Sequence, residues 1–143
     1  MQPGEPWDPD RPELPALHPG RLGNYVGMPA AMKLEQFGSE IIDAFGHPPY
    51  LVGSATRTKR WRDVDVRLIL PDDEYDALFG GRQVPAALDV KWNAYCLAFS
   101  ARAREITGLP VDFQIDRSTE ANERYQGPRF ALGIAYMLDR SGG

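Results

Sequence analysis

The sequence predicts an α+β domain, on three observations. Ala31 to Phe45 and Asp89 to Thr107 repeat their apolar residues at helical spacing. Trp61 to Leu70 and Val111 to Asp116 alternate apolar and polar residues as strands do. Hydrophobic residues make up 43% and charged residues 25% of 143 residues, an ordinary balance for one globular domain.

The elements follow in chain order. Residues 1–30 read as an extended arm. Prolines 3, 6, 9, 12 and 15 recur every three residues, the period of a polyproline II helix. Residues 31–143 form the body. Its first helix carries Leu34, Phe37, Ile41 and Phe45 on one side and stops at Gly46. His47-Pro48-Pro49 breaks the chain, and Tyr50-Leu51-Val52 is a short strand ending at Gly53-Ser54. A polar, basic stretch precedes the strand Trp61–Leu70. Pro71 ends that strand, and Asp72 is placed to cap a helix through Phe79. The second long helix puts Trp92, Tyr95, Cys96, Phe99 and Ile106 on one face and stops at Gly108. After the strand at 111–116, Ser118 or Thr119 caps a helix start through Glu123. Phe130 to Leu138 is apolar with an ambiguous period.

Several function classes drop out. The longest apolar run, Phe130–Leu138, is far short of the roughly 20 residues that cross a bilayer. The N-terminus has neither the basic nor the apolar segment of a secretory signal. One cysteine, Cys96, excludes an internal disulfide and any multi-cysteine zinc site. A reducing, cytoplasmic setting is expected. A net charge of −4 argues against a general nucleic-acid coating role.

The carboxylates carry the chemistry. In the strand 61–70, Val64, Val66, Leu68 and Leu70 mark a core face, and Asp63, Asp65 and Arg67 point the other way. In the strand 111–116, Val111, Phe113 and Ile115 face the core, opposite Asp112, Gln114 and Asp116. If the strands are neighbours, three or four carboxylates converge above one sheet and repel one another. A bound cation relieves that repulsion. Oxygen ligands without cysteine or histidine favour Mg²⁺ or Mn²⁺. The plainer alternative is pairing of these aspartates with Arg57, Lys59, Arg60, Arg62 and Arg67 on a solvated face.

Leu51-Val52-Gly53-Ser54, a basic linker and Asp63-Val64-Asp65-Val66, followed later by Val111-Asp112-Phe113, resemble the signature of the DNA polymerase β-like nucleotidyltransferase superfamily. The likeness spans residues 50 to 116 and is to the small, single-domain members found in bacteria and phages. The interval from Ser54 to Asp63 lies at the short end of that pattern. The resemblance implies a mixed sheet flanked by helices. It also implies a two-metal reaction moving a nucleotidyl group from a nucleoside triphosphate to a hydroxyl, with release of pyrophosphate. Gly53 and Ser54 would receive the phosphates, with Arg57, Lys59 and Arg62 offsetting their charge. Asp63, Asp65 and Asp112 would hold the metals, with Asp116 as a rival for the third place. The acceptor is unidentified: a small molecule, an RNA 3′ end or a protein hydroxyl. An inactive nucleotide-binding module of the same fold and a metal-dependent phosphohydrolase are the competing readings.

Weaker candidates are His18 and His47, both beside proline and without a ligand partner at metal spacing. Trp61 precedes Asp63 and is placed either to stack on a base or to pack beside the sheet. Thr119 to Asn122 is read as a helix start.

Overall fold

The computed structural model describes residues 25–80 and 85–134. Most of the proline-rich arm, the loop at 81–84 and the residues after 134 lie outside these. The elements are α1 (Ala30–Phe45), β1 (Tyr50–Val52), a 3-10 turn (Gly53–Thr56), β2 (Val64–Leu70), α2 (Asp72–Phe79), a second 3-10 turn (Ala86–Leu88), α3 (Val90–Thr107), β3 (Val111–Arg117), α4 (Ser118–Arg124) and β4 (Phe130–Ala131).

The four strands form a mixed sheet in the order β3-β2-β1-β4. β1 runs antiparallel to β2 and to β4, and β2 runs parallel to β3. Leu51, Val64, Val66, Leu68, Val111, Phe113 and Ile115 are fully buried on one face. There they meet the apolar sides of α1 and α3. The Phe37 and Phe99 rings lie 5.7 and 5.4 Å from that of Phe113.

β2 begins at Val64, three residues later than its alternation predicts. Pairing stops on both sides there. Val52 is the last partner on β1, because Gly53 turns away with φ +76°. On the other side Val64 donates its N–H to Pro110, just ahead of β3. Asp63 therefore sits in the bend before the strand and is exposed.

β3 is an edge strand, and α3 covers its free edge with side chains. Arg104 donates to the Val111 carbonyl, Ser100 bonds both the N–H and the carbonyl of Phe113, and Trp92 Nε1 donates to the Ile115 carbonyl at 2.7 Å. An unpaired edge that would template another strand is thus satisfied within the chain. Asp89 caps α3 by accepting from the Trp92 backbone N–H. Asp72 behaves differently from the expectation. It is the first residue of α2, whose N-cap, Pro71, makes no side-chain cap. Its carboxylate instead accepts from the Thr119 N–H and hydroxyl at the start of α4.

The ambiguous segment resolves in part. Phe130–Ala131 is a strand beside β1, and Gly133 then turns with φ +93°. Gly133 packs backbone to backbone on Gly38 of α1, where a Cβ on Gly38 would lie 2.5 Å from the Leu132 carbonyl carbon. Glu35, buried in the same helix, accepts from the Gly133 N–H at 2.6 Å.

Candidate functional site

Register brings three of the expected positions into one row. Val52 pairs with Asp65 across β1 and β2, and Asp65 pairs with Asp112 across β2 and β3. Gly53 follows Val52 directly, and the Asp65 carboxylate packs against it. A Cβ at position 53 would stand 2.6 Å from Asp65 Oδ2, so only glycine fits both this contact and the positive φ. Ser54 is half-buried in the turn that follows, which Thr56 braces by donating its hydroxyl to the Gly53 carbonyl at 2.6 Å.

Arg57, Lys59, Arg60 and Arg62 are exposed on the loop between this turn and β2. Trp61 in the same loop is half-buried against the core and donates its indole N–H to the Tyr25 carbonyl. Tyr25 in turn donates to Ala55, so the described end of the arm lies beside the Gly53 turn.

Asp65, Asp112 and Asp116 all reach Arg67 with their carboxylates, but only the first two are neighbours in register. Asp116 pairs in register with Ile69, four residues beyond Asp112 and roughly 13 Å away along the strand. Its side chain is 9% exposed, against 39% for Asp112. Asp63 remains within electrostatic reach of Asp65. Burial raises the Asp65 pKa most, Arg67 opposes it, and the charges of Asp112 and Asp63 push it further up. Among the described residues, no three acidic, histidine or cysteine side chains are grouped to hold a metal ion. Mg²⁺ is commonly held by one or two carboxylates plus substrate phosphates, and Asp65 and the exposed Asp63 in its electrostatic reach are the pair that could serve such a smaller site.

Arg67 pairs with the aspartates, as the plainer reading expects, but not in a solvated setting. The strand pattern placed it opposite the core face and the plainer alternative put that face in solvent, but Arg67 is only 7% exposed. Its Nη2 lies 3.3 Å from Asp112 Oδ2 and 3.8 Å from Asp65 Oδ1, and its Nε lies 3.9 Å from Asp116 Oδ2. Nη1 donates to the Asp112 and Val66 carbonyls, and Nε donates to the Tyr125 hydroxyl at 2.8 Å. Burial works against the charge on Arg67, and Tyr125, Asp112 and Asp116 more than offset it. Tyr125 was invisible as a site residue in the sequence. It stands 58 positions from Arg67, just after α4.

Gln114 donates to Asp112 Oδ2 at 3.3 Å and also lines a cavity of about 760 Å³ at the far end of β3. Trp92, Asp116, Arg117 and Arg124 share its wall. Asp116 is raised by burial, against the pull of Arg67, Arg124 and Tyr125. Cys96, behind β3, is pushed up to about 11 by burial, which makes it an inert thiol. His47 bonds Glu74 at 2.6 Å and lies apart from these groups.

Comparison with known protein families, curated proteins and solved structures finds no match to this chain. No helix among the described residues is long and apolar enough to cross a membrane.

Proposed function

We propose that the chain is a metal-dependent nucleotidyltransferase, moving a nucleotidyl group from a nucleoside triphosphate to a hydroxyl acceptor. One observation carries the reading: the glycine turn, Asp65 and Asp112 stand side by side on three adjacent strands, with Gly53 packed on the Asp65 carboxylate. The triphosphate lies along the Gly53 turn, with the half-buried Ser54 as the residue offering a hydroxyl and an N–H to phosphate oxygens. Arg57, Lys59 and Arg62 offset its charge from the neighbouring loop. Asp65 and Asp63 would hold the Mg²⁺ or Mn²⁺ that accompanies the triphosphate, and the ion would supply Lewis-acid stabilisation of the phosphate charge. Asp112, the more accessible rival of Asp116, takes the acceptor proton. The acceptor oxygen attacks the α-phosphorus, and pyrophosphate leaves.

The test is incubation with each α-labelled triphosphate, Mg²⁺ and a cell lysate. Label transferred to an acceptor, with pyrophosphate released, supports the reading. Free labelled monophosphate without an adduct identifies a phosphohydrolase. An inactive nucleotide-binding module is the second reading. It is favoured by the salt bridge that already neutralises Asp112, and it predicts triphosphate binding with no turnover.

A further inference from the structure

We propose that Arg67 takes the place of a second divalent ion, so that transfer on this chain uses only the ion that enters with the triphosphate. This rests on the nucleotidyl-transfer reading and departs from its two-metal form. A second ion would bridge Asp65 and Asp112, where the Arg67 Nη2 already stands at 3.8 and 3.3 Å from their oxygens.

The guanidinium is not free to swing aside. Nη1 is tied to the backbone carbonyls of Asp112 at 2.7 Å and Val66 at 3.2 Å, and Nε to Tyr125 at 2.8 Å. Arginine also keeps its charge at any working pH. A divalent ion placed in this gap would meet a fixed, buried cation that is hydrogen-bonded to one of its ligands, Asp112, and ion-paired with the other, Asp65.

Arg67 is a positioning residue in this scheme. It and Gln114 both hold Oδ2 of Asp112, and among the described residues none engages Oδ1. Oδ1 accepts the proton of the acceptor hydroxyl. The new bond forms from the deprotonated acceptor oxygen to the α-phosphorus, and the bond from the α-phosphorus to the oxygen bridging to the β-phosphorus breaks. Its electron pair leaves with pyrophosphate. The positive charge that keeps Asp112 oriented comes from the strand next to it.

The experiment counts ions. The full-length chain is saturated with a nucleoside triphosphate whose α–β bridge is a methylene, and Mn²⁺ is titrated in while free Mn²⁺ is followed by electron paramagnetic resonance. The wild type is expected to bind one ion per bound nucleotide, and Arg67→Lys likewise. Arg67→Met removes the fixed cation and is expected to bind two. Two ions in the wild type overturn the proposal, as does a single ion in a folded Arg67→Met. If Arg67→Met does not fold, as judged by circular dichroism, the wild-type count decides. Absence of triphosphate binding in the wild type removes the nucleotidyl-transfer reading itself and this inference with it. Triphosphate binding with two ions removes this inference alone.

Discussion

Two aspartates on one strand face separate by what surrounds them. Asp112 is partly open and stands in register with Asp65, whereas Asp116 is buried beside Ile69 at the other end of the pairing. Asp112→Asn is expected to keep triphosphate affinity within about threefold and to lose turnover by about a hundredfold or more, the mark of an interaction used in the transition state. Asp116→Asn is expected to keep most turnover. Binding isotherms and pyrophosphate release on both variants check this, and the opposite pattern would move the role to Asp116. Glu35 makes a different point. Burial raises its pKa and the Gly133 N–H only partly opposes that rise. The folded state therefore holds this proton more tightly than the unfolded chain. Stability from this group falls as pH rises from the ordinary glutamate range through the raised value, and the penalty is complete above it. Glu35→Gln keeps an oxygen for Gly133 without the charge. It is expected to be more stable than wild type at about pH 8, with the gain vanishing in acid. Thermal melts across pH test it, and a pH-independent difference would contradict it.

At the scale of elements, the helices and strands were legible because each carries its own period. Leu34, Phe37 and Ile41 are buried as the helical spacing of α1 requires, and the α3 face holds Cys96 beside half-buried Trp92, Tyr95 and Phe99. What periodicity missed lies in contacts between distant segments. Gly38 and Glu35 look like ordinary helix positions until Gly133, almost a hundred residues later, is packed against them. Asp72 reads as a cap for its own helix, yet Thr119 takes its carboxylate. Arg67 reads as solvated because nothing local shows that Tyr125 and the β3 backbone enclose it. The Gly38–Gly133 contact supports a direct prediction. Gly38→Ala would place a methyl against backbone that has no rotamer to move. It is expected to cost about 1–3 kcal/mol, although alanine is the better helix former. A denaturant midpoint equal to wild type would show that β4 and its turn shift without penalty.

For the whole molecule, the sheet divides the labour. One face is an apolar layer under α1 and α3. The other carries a row of charge from the Gly53 turn through Asp65 to Asp112, then the cavity at the end of β3. The order of Gly-Ser, Asp-x-Asp and the later Asp was readable from the chain. Their lateral alignment was not, since it depends on β1 running antiparallel and β3 parallel to the same strand. The proline-rich arm lies mostly outside the described residues, so its reading stands as an expectation. The row of charge is a triphosphate site only if Asp65 is needed for metal–triphosphate binding, and that need is independent of any acceptor. Calorimetric titration with Mn²⁺ and a nucleoside triphosphate, on wild type and Asp65→Asn, measures it. The wild type is expected to bind, and Asp65→Asn to bind at least about tenfold more weakly, about 1.4 kcal/mol or more, with its fold intact. Equal affinity in the two proteins, or no binding by the wild type, would contradict the account.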